Sequence, residues 1–444
     1  MIKSAQGEGL AQLVADQVDR MTDEIVALAQ SLIRFDSVNE PPWGREGPVQ
    51  AFVAEQLRGL GCAVDQFRPD EVPGIDDDPA YLRGRDYTDR PNVVGVLPGL
   101  GGGPSLHLAA HADVVPIGDR AQWTVEPFGA SIKDGKIYGR GAVDDRDGLA
   151  GMLAAVRVIQ RAGFHLRGDL ILSSYVDEEF AGGNGLLAIV RKGYCGQAAI
   201  NCDGVGFVMG VANTGGGPFR VLIQSQAEAA QPTPGMQRVL AACRLSLEQL
   251  SRQWQVYWQH PLYPAGTAWI FKKAPIELRD WAEGLTHWNW LSHGPACGLS
   301  GYATTLPRQD RDQSKAELAQ AVARGYAEAQ APDVYPPRVE WVYRFMDACE
   351  VSPQAPIVSA LSQAFTQVTG RPAEVTGGPR SDLYMLALHG GVPTVNFGVG
   401  NVLHGPGSAH SPDECIDIQG ELIPYVKTLA LTILNWSGCA ERHP

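Results

Sequence analysis

The sequence lacks any uninterrupted run of about 18 apolar residues, which is the length that a membrane-spanning helix requires. Residues 1–35 mix acidic side chains with a helical apolar period and do not have the pattern of a secretory signal peptide. Basic residues are outnumbered, with 36 lysines and arginines against 49 acids, so the formal net charge is −13. Such a surface repels phosphate backbones and anionic lipids. We therefore expect no membrane and no nucleic acid among the partners of this protein.

The eight cysteines are scattered, and no two of them form a Cys-x-x-Cys pair. This usage is typical of a reduced protein with buried thiols, so we expect a cytoplasmic location. With 44% hydrophobic and 19% charged residues, the composition is that of a globular protein. A chain of 444 residues is longer than one ordinary hydrophobic core can accommodate, which predicts two domains.

Strand-like and helix-like segments alternate through the first half of the chain. Strands are predicted at 92–99, 105–113, 169–176 and 197–203, and helices at 17–35, 48–61, 148–163 and 184–192. This alternation predicts an α/β fold, a mostly parallel sheet with helices on both faces. The pattern changes after residue 213 and returns near 355. We therefore predict a catalytic domain formed by 1–213 and 346–444, interrupted by a smaller α+β domain at 214–345.

Acidic and imidazole side chains follow the predicted strands at their ends, where open α/β sheets place their ligand sites. The strand at 105–113 runs into His111 and Asp113, and Asp113 could hold the second ring nitrogen of His111. A later segment, 138–148, has three carboxylates in four residues before a helix. It is either a solvated turn with a helix cap or a site in which Asp144 bridges two cations.

The strand at 169–176 ends in three consecutive acids, Asp177, Glu178 and Glu179. Three acids at one point repel one another unless a cation or a shared proton offsets their charge, so this segment favours a functional site. Because side chains alternate along an extended chain, Glu178 and Glu179 cannot do the same job. One could bind a metal while the other takes a proton from water.

Two further segments are ordinary on their own and informative only in company. The strand at 197–203 ends in Asp203, which a turn would explain equally well. His404 and His410 lie in a loop rich in glycine and proline after a predicted strand at 392–398. A loop histidine is usually exposed to solvent, so position alone selects neither.

Together these segments resemble a known family. The order His-x-Asp, Gly-Arg-Gly-Ala-x-Asp, Asp-Glu-Glu, a strand-terminal Asp and a late His-x-x-x-Glu is similar to that of dinuclear metallohydrolases. These include acetylornithine deacetylase, succinyl-diaminopimelate desuccinylase, glutamate carboxypeptidase and carnosinase. The resemblance covers about 1–213 and 346–444. It implies hydrolysis of a C–N bond by metal-activated hydroxide without a covalent intermediate, and an inserted ferredoxin-like domain that serves as lid and dimer interface in a homodimer.

The resemblance also implies one or two divalent metal ions with imidazole and carboxylate ligands. The implied ligands are His111, Asp144 and Asp203 for one metal, and Asp144, Glu179 and His410 for the other. Glu178 is implied to be the general base, and Asp113 to steady His111. Similar enzymes have a cis peptide bond at the position of Asp144–Asp145. Zinc is the common ion in this family, but ligands without sulfur also admit manganese or cobalt.

Two other features bear on the substrate. The segment 376–387 resembles the family's glycine-rich substrate loop, in which Arg380 is a candidate for binding a substrate carboxylate. A surface arginine in a turn is the alternative. Relatives carry a histidine after the first inserted strand, contributed across a dimer to polarise the substrate carbonyl, but residues 221–235 contain none. His260, His287 and His293 could replace it, and nothing in their spacing selects one.

The inserted segment is also rich in tryptophan. Its six tryptophans between 254 and 290 are Trp254, Trp258, Trp269, Trp281, Trp288 and Trp290. Clustered aromatic residues are typical of a packed core or an oligomer interface. Alternatively, they could line a site for an aryl carboxylic acid whose amide or ring amino group is hydrolysed.

Three functions therefore stay open. The favoured one is a metal-dependent hydrolase of a C–N bond, such as an amide or N-acyl amino acid, in a small carboxylate-bearing substrate. The second is an aminohydrolase or amidohydrolase acting on an aromatic amino-carboxylate. The third is a metal-stabilised binding protein without activity, against which the presence of Glu178 argues. The glycine-rich run at 99–104 lacks the Gly-x-Gly-x-x-Gly spacing of a nucleotide-binding loop.

Overall fold

The computed structural model describes residues 2–226, 232–264, 274–280, 297–400 and 407–441. The chain divides into two compact units, one formed by Met1–Ala212 and Glu350–Pro444 and the other by Asn213–Cys349.

Nine α-helices lie among these residues. They are α1 (Ile2–Arg20), α2 (Thr22–Ile33), α3 (Gly47–Gly59), α4 (Arg146–Arg161), α5 (Asn184–Arg191), α6 (Pro234–Tyr257), α7 (Arg311–Ala329), α8 (Pro356–Thr369) and α9 (Ile423–Ser437). Two π-helical turns cover Met385–His389 and Ile418–Leu422. None of the described helices combines the length and the apolar character that crossing a bilayer requires.

The strands in the same residues are mostly short. They are β1 (Asn39–Glu40), β2 (Trp43–Gly44), β3 (Ala63–Phe67), β4 (Asn92–Leu97), β5 (Leu106–His111), β6 (Ser131–Lys133), β7 (Lys136–Tyr138), β8 (Phe164–Leu166), β9 (Leu170–Tyr175), β10 (Ala198–Asn201), β11 (Met209–Asn213), β12 (Gly215–Leu222), β13 (Ile276–Asp280), β14 (Gly298–Thr305), β15 (Arg338–Trp341), β16 (Cys349–Glu350), β17 (Val375–Gly377), β18 (Thr394–Asn396), β19 (Cys415–Asp417) and β20 (Cys439–Glu441).

The first unit is built on a mixed sheet of nine described strands. Their order is β16-β11-β18-β10-β5-β9-β4-β3, and β17 pairs with β11. The centre is parallel, since β18 pairs with β10, β10 with β5 and β5 with β9 in that sense. Strands β4 and β3 are antiparallel at one side. Both β5 and β9 are buried along their whole length, which explains their nearly uninterrupted small and apolar sequences.

Helices cover this sheet. Helices α4 and α9 pack on β5 and on each other, and α5 packs on β9 and β4. The contact between α4 and α9 is close because Gly151 has no side chain: a Cβ atom there would lie 2.4 Å from the ring of Tyr425. The helix predicted at 17–35 is in fact the end of α1 and the whole of α2. The chain turns at Met21, where the hydroxyl of Thr22 donates to the carbonyl of Asp19 at 3.1 Å.

The second unit has the order β12-α6-β13-β14-α7-β15. The four strands described in this unit form an antiparallel sheet in the order β13-β14-β12-β15, and α6 and α7 pack on each other. This βαββαβ arrangement is ferredoxin-like, as predicted. Its core includes Phe219, Leu299, Val239 and Leu318. The predicted fold class, a mostly parallel α/β sheet with a smaller α+β part, is therefore confirmed.

Candidate metal centre

Three adjacent parallel strands, β10, β5 and β9, bring most of the candidate residues to one edge of the central sheet. His111 is the last residue of β5, Glu178 and Glu179 follow the end of β9, and Asp203 follows the end of β10. The carboxyl ends of parallel strands share one edge, so these side chains converge although they are distant in sequence. Asp144 arrives from the loop between β7 and α4.

Two groups of potential ligands share Asp144. One group is His111, Asp144 and Asp203, the other is Asp144, Glu179 and His410, and the ligand atoms of each group lie within 4.8 Å of one another. Asp144 Oδ1 lies 2.9 Å from His111 Nε2, and Asp144 Oδ2 lies 2.9 Å from His410 Nε2. The two oxygens of this carboxylate thus face different groups. This is the arrangement that a carboxylate bridging two cations requires.

The chemistry of the donors fits divalent cations. Each group offers one imidazole and two carboxylates without sulfur, a set that zinc, manganese and cobalt accept. The second group closes through His410 Nε2, which lies 3.1 Å from Glu179 Oε1. The Asp144–Asp145 peptide bond is cis, as the family resemblance implied.

Protons and cations compete for these ligands. Burial lowers the pKa of His111, but its contacts with Asp113 and Asp144 outweigh burial and raise this pKa well above its ordinary value. Partial burial likewise lowers the pKa of His410, and the charge of Glu179 with the hydrogen bond to Asp144 raises it well above normal. Burial raises the pKa of Asp144, but hydrogen bonds from the two imidazoles reverse the effect and lower it. Each imidazole must lose its proton before the same nitrogen can bind a metal.

Asp113 organises the loop that carries the two glutamates. Its Oδ1 accepts the backbone N–H of Glu178 at 3.1 Å, and its Oδ2 accepts that of Glu179 at 2.9 Å. His111 Nδ1 contacts the backbone carbonyl of Asp113 at 3.0 Å, whereas the carboxylate is 3.6 Å away. Burial raises the pKa of Asp113, but His111 and Asn39 outweigh burial and lower it to about 2. The carboxylate therefore stays charged, and its main contacts hold the backbone of Glu178 and Glu179.

Glu178 is half-buried and close enough to His111, Asp203 and Glu179 to interact with them electrostatically. Burial and the neighbouring charge of Asp203 raise its pKa well above the ordinary value, and Asp382 adds to this. A raised pKa makes a carboxylate a stronger proton acceptor near neutral pH. Burial, followed by the charge of Asp144, also raises the pKa of Asp203 well above normal.

Three supporting residues were not predicted from the sequence. Asn39 donates to Asp113 Oδ2 at 2.8 Å, and Asp145 Oδ2 accepts the backbone N–H of His111 at 3.0 Å. Burial raises the pKa of Asp145 to about 7, and Asp144 contributes. Glu414 supports the loop of His410 through Arg140, as described in the Discussion. The positions of Asp145 and Glu414 within the motifs were a usable signal; Asn39, in a short hairpin far from every motif, carried none.

The remaining predicted positions have mixed outcomes. Arg380 is half-buried in the loop that follows β17. His260, in the second unit, is buried, and its Nδ1 accepts the backbone N–H of Leu262 at 3.2 Å. Trp254 is buried in the core of that unit and donates to Glu317 at 2.7 Å. His287, His293, His404 and four of the six tryptophans (Trp269, Trp281, Trp288 and Trp290) lie outside the described residues.

Comparison with known proteins places this geometry in a family. Residues 107–435 match the model of peptidase family M20/M25/M40. The chain belongs to this family. It is accordingly a metallohydrolase that acts on carbon–nitrogen bonds. The resemblance seen in the sequence is thereby confirmed.

Relatives and solved structures align with more than nine-tenths of the chain. N-formyl-4-amino-5-aminomethyl-2-methylpyrimidine deformylase of Bacillus subtilis is 28% identical, over 95% of this chain and 96% of the relative. The structure of human carnosine dipeptidase 1 superposes with a TM-score of 0.71 at 16% identity, covering 96% of this chain and 99% of that one. A dinuclear metal-binding M20 peptidase of Bacillus subtilis has a TM-score of 0.57 at 14% identity, covering 94% and 99%. At these identities the structures establish the fold alone.

Proposed function

We propose that the chain hydrolyses the C–N bond of a small amide or N-acyl compound, with two divalent cations bound by the two ligand groups and Glu178 as the general base. One observation carries the proposal: Asp144 presents one oxygen to each group, while Glu178 is close enough to interact electrostatically with His111 and Asp203 of one group and Glu179 of the other. The proposed ligands are those that the motifs suggested, namely His111, Asp144, Asp203, Glu179 and His410.

His111, Asp144, Asp203, Glu179 and His410 would hold the two cations, which would lower the pKa of water and stabilise negative charge on the carbonyl oxygen. Glu178 takes one proton from the attacking water while the water oxygen forms a bond to the carbonyl carbon. The C–N bond then breaks, and Glu178 returns the proton to the departing nitrogen. The products are a carboxylic acid and an amine. Asp113 holds the backbone of Glu178, so the carboxyl that moves the proton stays next to the ligands.

The proposed substrate class is supported by the name of one relative and by the chemistry of Arg380. The relative in Bacillus subtilis that aligns along the full chain is named for removing a formyl group from an aminomethylpyrimidine, which is amide hydrolysis. We propose that the acyl group is equally small or ends in a carboxylate, with Arg380 binding that carboxylate. The aromatic aminohydrolase gains no support from Trp254, which packs in a core instead of lining a site.

Three finer proposals complete this function. We propose zinc as the metal, as the family resemblance implies. Manganese or cobalt could replace it, because the donor set lacks sulfur. We propose a homodimer formed through the second unit, in which a partner residue supplies the electrophile that residues 221–235 lack. We propose a cytoplasmic location, which all eight free cysteines support.

The test is metal analysis followed by a substrate panel. Protein purified without chelator is analysed for bound metal, and turnover is then measured on an N-formyl aminomethylpyrimidine, an N-acetyl and an N-succinyl amino acid, a dipeptide and an aminobenzoate. We expect one or two metal equivalents and amine release from at least one amide. Turnover of the aminobenzoate alone would replace the proposal with the aromatic aminohydrolase. Metal binding without turnover of any substrate in the panel would instead support a binding protein without activity.

A further inference from the structure

We propose that Tyr87 and Asn39 are positioning residues that fix the turn Asp177–Glu179, and thereby place the general base and one metal ligand together. The inference rests on the proposed function for the roles of Glu178 and Glu179. Neither Tyr87 nor Asn39 belongs to a ligand group: Asn39 is the first residue of β1, and Tyr87 lies in the loop between β3 and β4.

The side chain of Asp177 is fully buried and faces this network instead of the ligands. Its Oδ2 accepts a hydrogen bond from the hydroxyl of Tyr87 at 2.6 Å, and its Oδ1 accepts one from Asn39 Nδ2 at 3.2 Å. The guanidinium groups of Arg85 and Arg90 lie 3.6 and 3.7 Å from Oδ1. Both oxygens of Asp177 are thus engaged, and its negative charge is balanced by cations of the protein itself.

The backbone explains why Asp177 needs these bonds. Its φ angle is 63°, in the left-handed region that residues other than glycine seldom adopt. The turn is closed by the N–H of Gly183, which donates to the carbonyl of Asp177 at 2.7 Å. In this conformation the next two N–H groups, those of Glu178 and Glu179, both reach the carboxylate of Asp113. Loss of the side-chain bonds would let the turn relax and move both glutamates.

Asn39 couples the two carboxylates on either side of the turn. One of its amide hydrogens points to Asp113 Oδ2 at 2.8 Å and the other to Asp177 Oδ1 at 3.2 Å. Without such donors, two buried carboxylates so close together would repel each other. Asn39 therefore holds Asp113 and Asp177 at a fixed separation, and with them the residues that each one supports.

A second ion pair anchors the network behind Asp177. Arg90 donates to both oxygens of Glu46, from Nη2 at 2.6 Å and from Nε at 2.8 Å, and both side chains are buried. A buried bidentate pair has little freedom to move. The loop that contains Tyr87 and Arg90 is therefore rigidly attached to the start of α3, and the hydroxyl of Tyr87 has a fixed position.

The closing experiment compares two tyrosines whose hydroxyl groups each donate to an aspartate. Tyr87→Phe removes the hydroxyl that binds Asp177, and Tyr194→Phe removes a hydroxyl that binds Asp65 at 2.7 Å on the edge strand β3, away from the ligand groups. Each metal-free variant is titrated with Zn²⁺, and kcat and KM are measured at saturating metal. We expect Tyr87→Phe to weaken Zn²⁺ binding about tenfold and to lower kcat about tenfold, with KM nearly unchanged. Tyr194→Phe should change none of the three.

Two further variants, Asn39→Ala and the combination of Asn39→Ala with Tyr87→Phe, test whether both residues act through the same turn. We expect Asn39→Ala to give the same pattern, and the double variant to lose less than the product of the two single losses. If the wild type binds Zn²⁺ and hydrolyses an amide while Tyr87→Phe matches it in affinity and kcat, the inference alone fails. If the wild type binds no divalent metal, the proposed function fails and the inference falls with it. Weaker Zn²⁺ binding in Tyr87→Phe, without activity on any amide, would support the positioning role and contradict the proposed reaction.

Discussion

The imidazole Nε2 of His410 lies 2.9 Å from Oδ2 of Asp144, although the two residues come from distant parts of the chain. The other oxygen of Asp144 contacts His111 at the same distance. The carboxylate of Asp144 therefore connects His111, at the end of β5, to His410, in a loop near the C-terminus. The integrity of both ligand groups depends on this single side chain.

The first prediction follows from that dependence. Asp144→Ala should weaken both metal sites, because each group loses its shared carboxylate, and metal content should fall below one equivalent. The control is Asp312→Ala, which removes an exposed carboxylate on α7 in the second unit. Metal is measured by elemental analysis after dialysis. Retention of two equivalents by Asp144→Ala would show that Asp144 does not bridge.

The second prediction separates chemistry from metal binding. Glu178→Gln should lower kcat by about 10²–10⁴-fold, since the amide cannot accept a proton from water. Metal content should stay at the wild-type level because Glu178 belongs to neither ligand group. Glu126→Gln, at an exposed glutamate, serves as the control for a carboxylate-to-amide change. Turnover of Glu178→Gln within tenfold of the wild type would remove Glu178 from the role of base.

The sequence allowed the sheet and the ligand candidates to be predicted because both leave local signals. Strands β5 and β9 are fully buried and contain no acid, lysine or arginine, so the acidic residues that follow them stand out. Asn39 left no such signal, since its partners Asp113 and Asp177 are far away in sequence. Likewise, the break at Met21 depends on a local turn that apolar periodicity does not register.

The third prediction concerns the pH dependence of metal binding. The pKa values of His111 and His410 are raised above the ordinary value of 6.5, so in the metal-free protein both nitrogens keep their protons to higher pH. Metal binding must displace these protons, and affinity therefore rises with pH and falls on acidification. We expect Zn²⁺ affinity to drop about tenfold per pH unit for each proton displaced, between pH 8 and pH 6.

A matched variant identifies the proton that is responsible. His410→Gln removes one titrating ligand, so the slope of log affinity against pH should decrease by about one relative to the wild type. His165→Gln, at an exposed histidine on β8, should leave the slope unchanged. Calorimetric titration at several pH values gives both slopes. An affinity independent of pH in the wild type would contradict the imidazole ligands.

The fourth prediction concerns stability in acid. Burial lowers the pKa of His107 on β5 to about 3, and its Nε2 contacts the hydroxyl of Ser173 at 2.6 Å. In the unfolded chain the imidazole of His107 takes up a proton near pH 6.5, whereas in the folded protein it stays neutral until about pH 3. Above pH 6.5 both states are neutral and the stability contribution is fully present. The contribution is lost progressively as the pH falls from about 6.5 towards 3. His107→Gln should flatten this loss in urea unfolding of the metal-free protein, and an unchanged profile would contradict the assignment.

The fifth prediction concerns the support of the His410 loop. Glu414 Oε2 accepts a hydrogen bond from Arg140 Nη1 at 2.6 Å, and its Oε1 accepts the backbone N–H of Val143 at 3.0 Å. Both charged side chains are buried, and Arg140 lies over the ring of Trp123. Glu414 thus ties the loop that carries His410 to the residue that precedes Asp144, and so sets the separation between two ligands.

Glu414→Gln leaves the buried Arg140 without its counter-charge, which should cost about 3–5 kcal/mol in the free energy of unfolding. It should also weaken metal binding, because the two loops are no longer held together. The matched control is Asp347→Asn, which breaks the partly exposed pair with Arg311 in the second unit and should cost at most about 1 kcal/mol. Urea unfolding without metal and Zn²⁺ titration measure the two effects. Equal losses of stability in the two variants, with unchanged Zn²⁺ affinity, would show that the pair does not organise the metal centre.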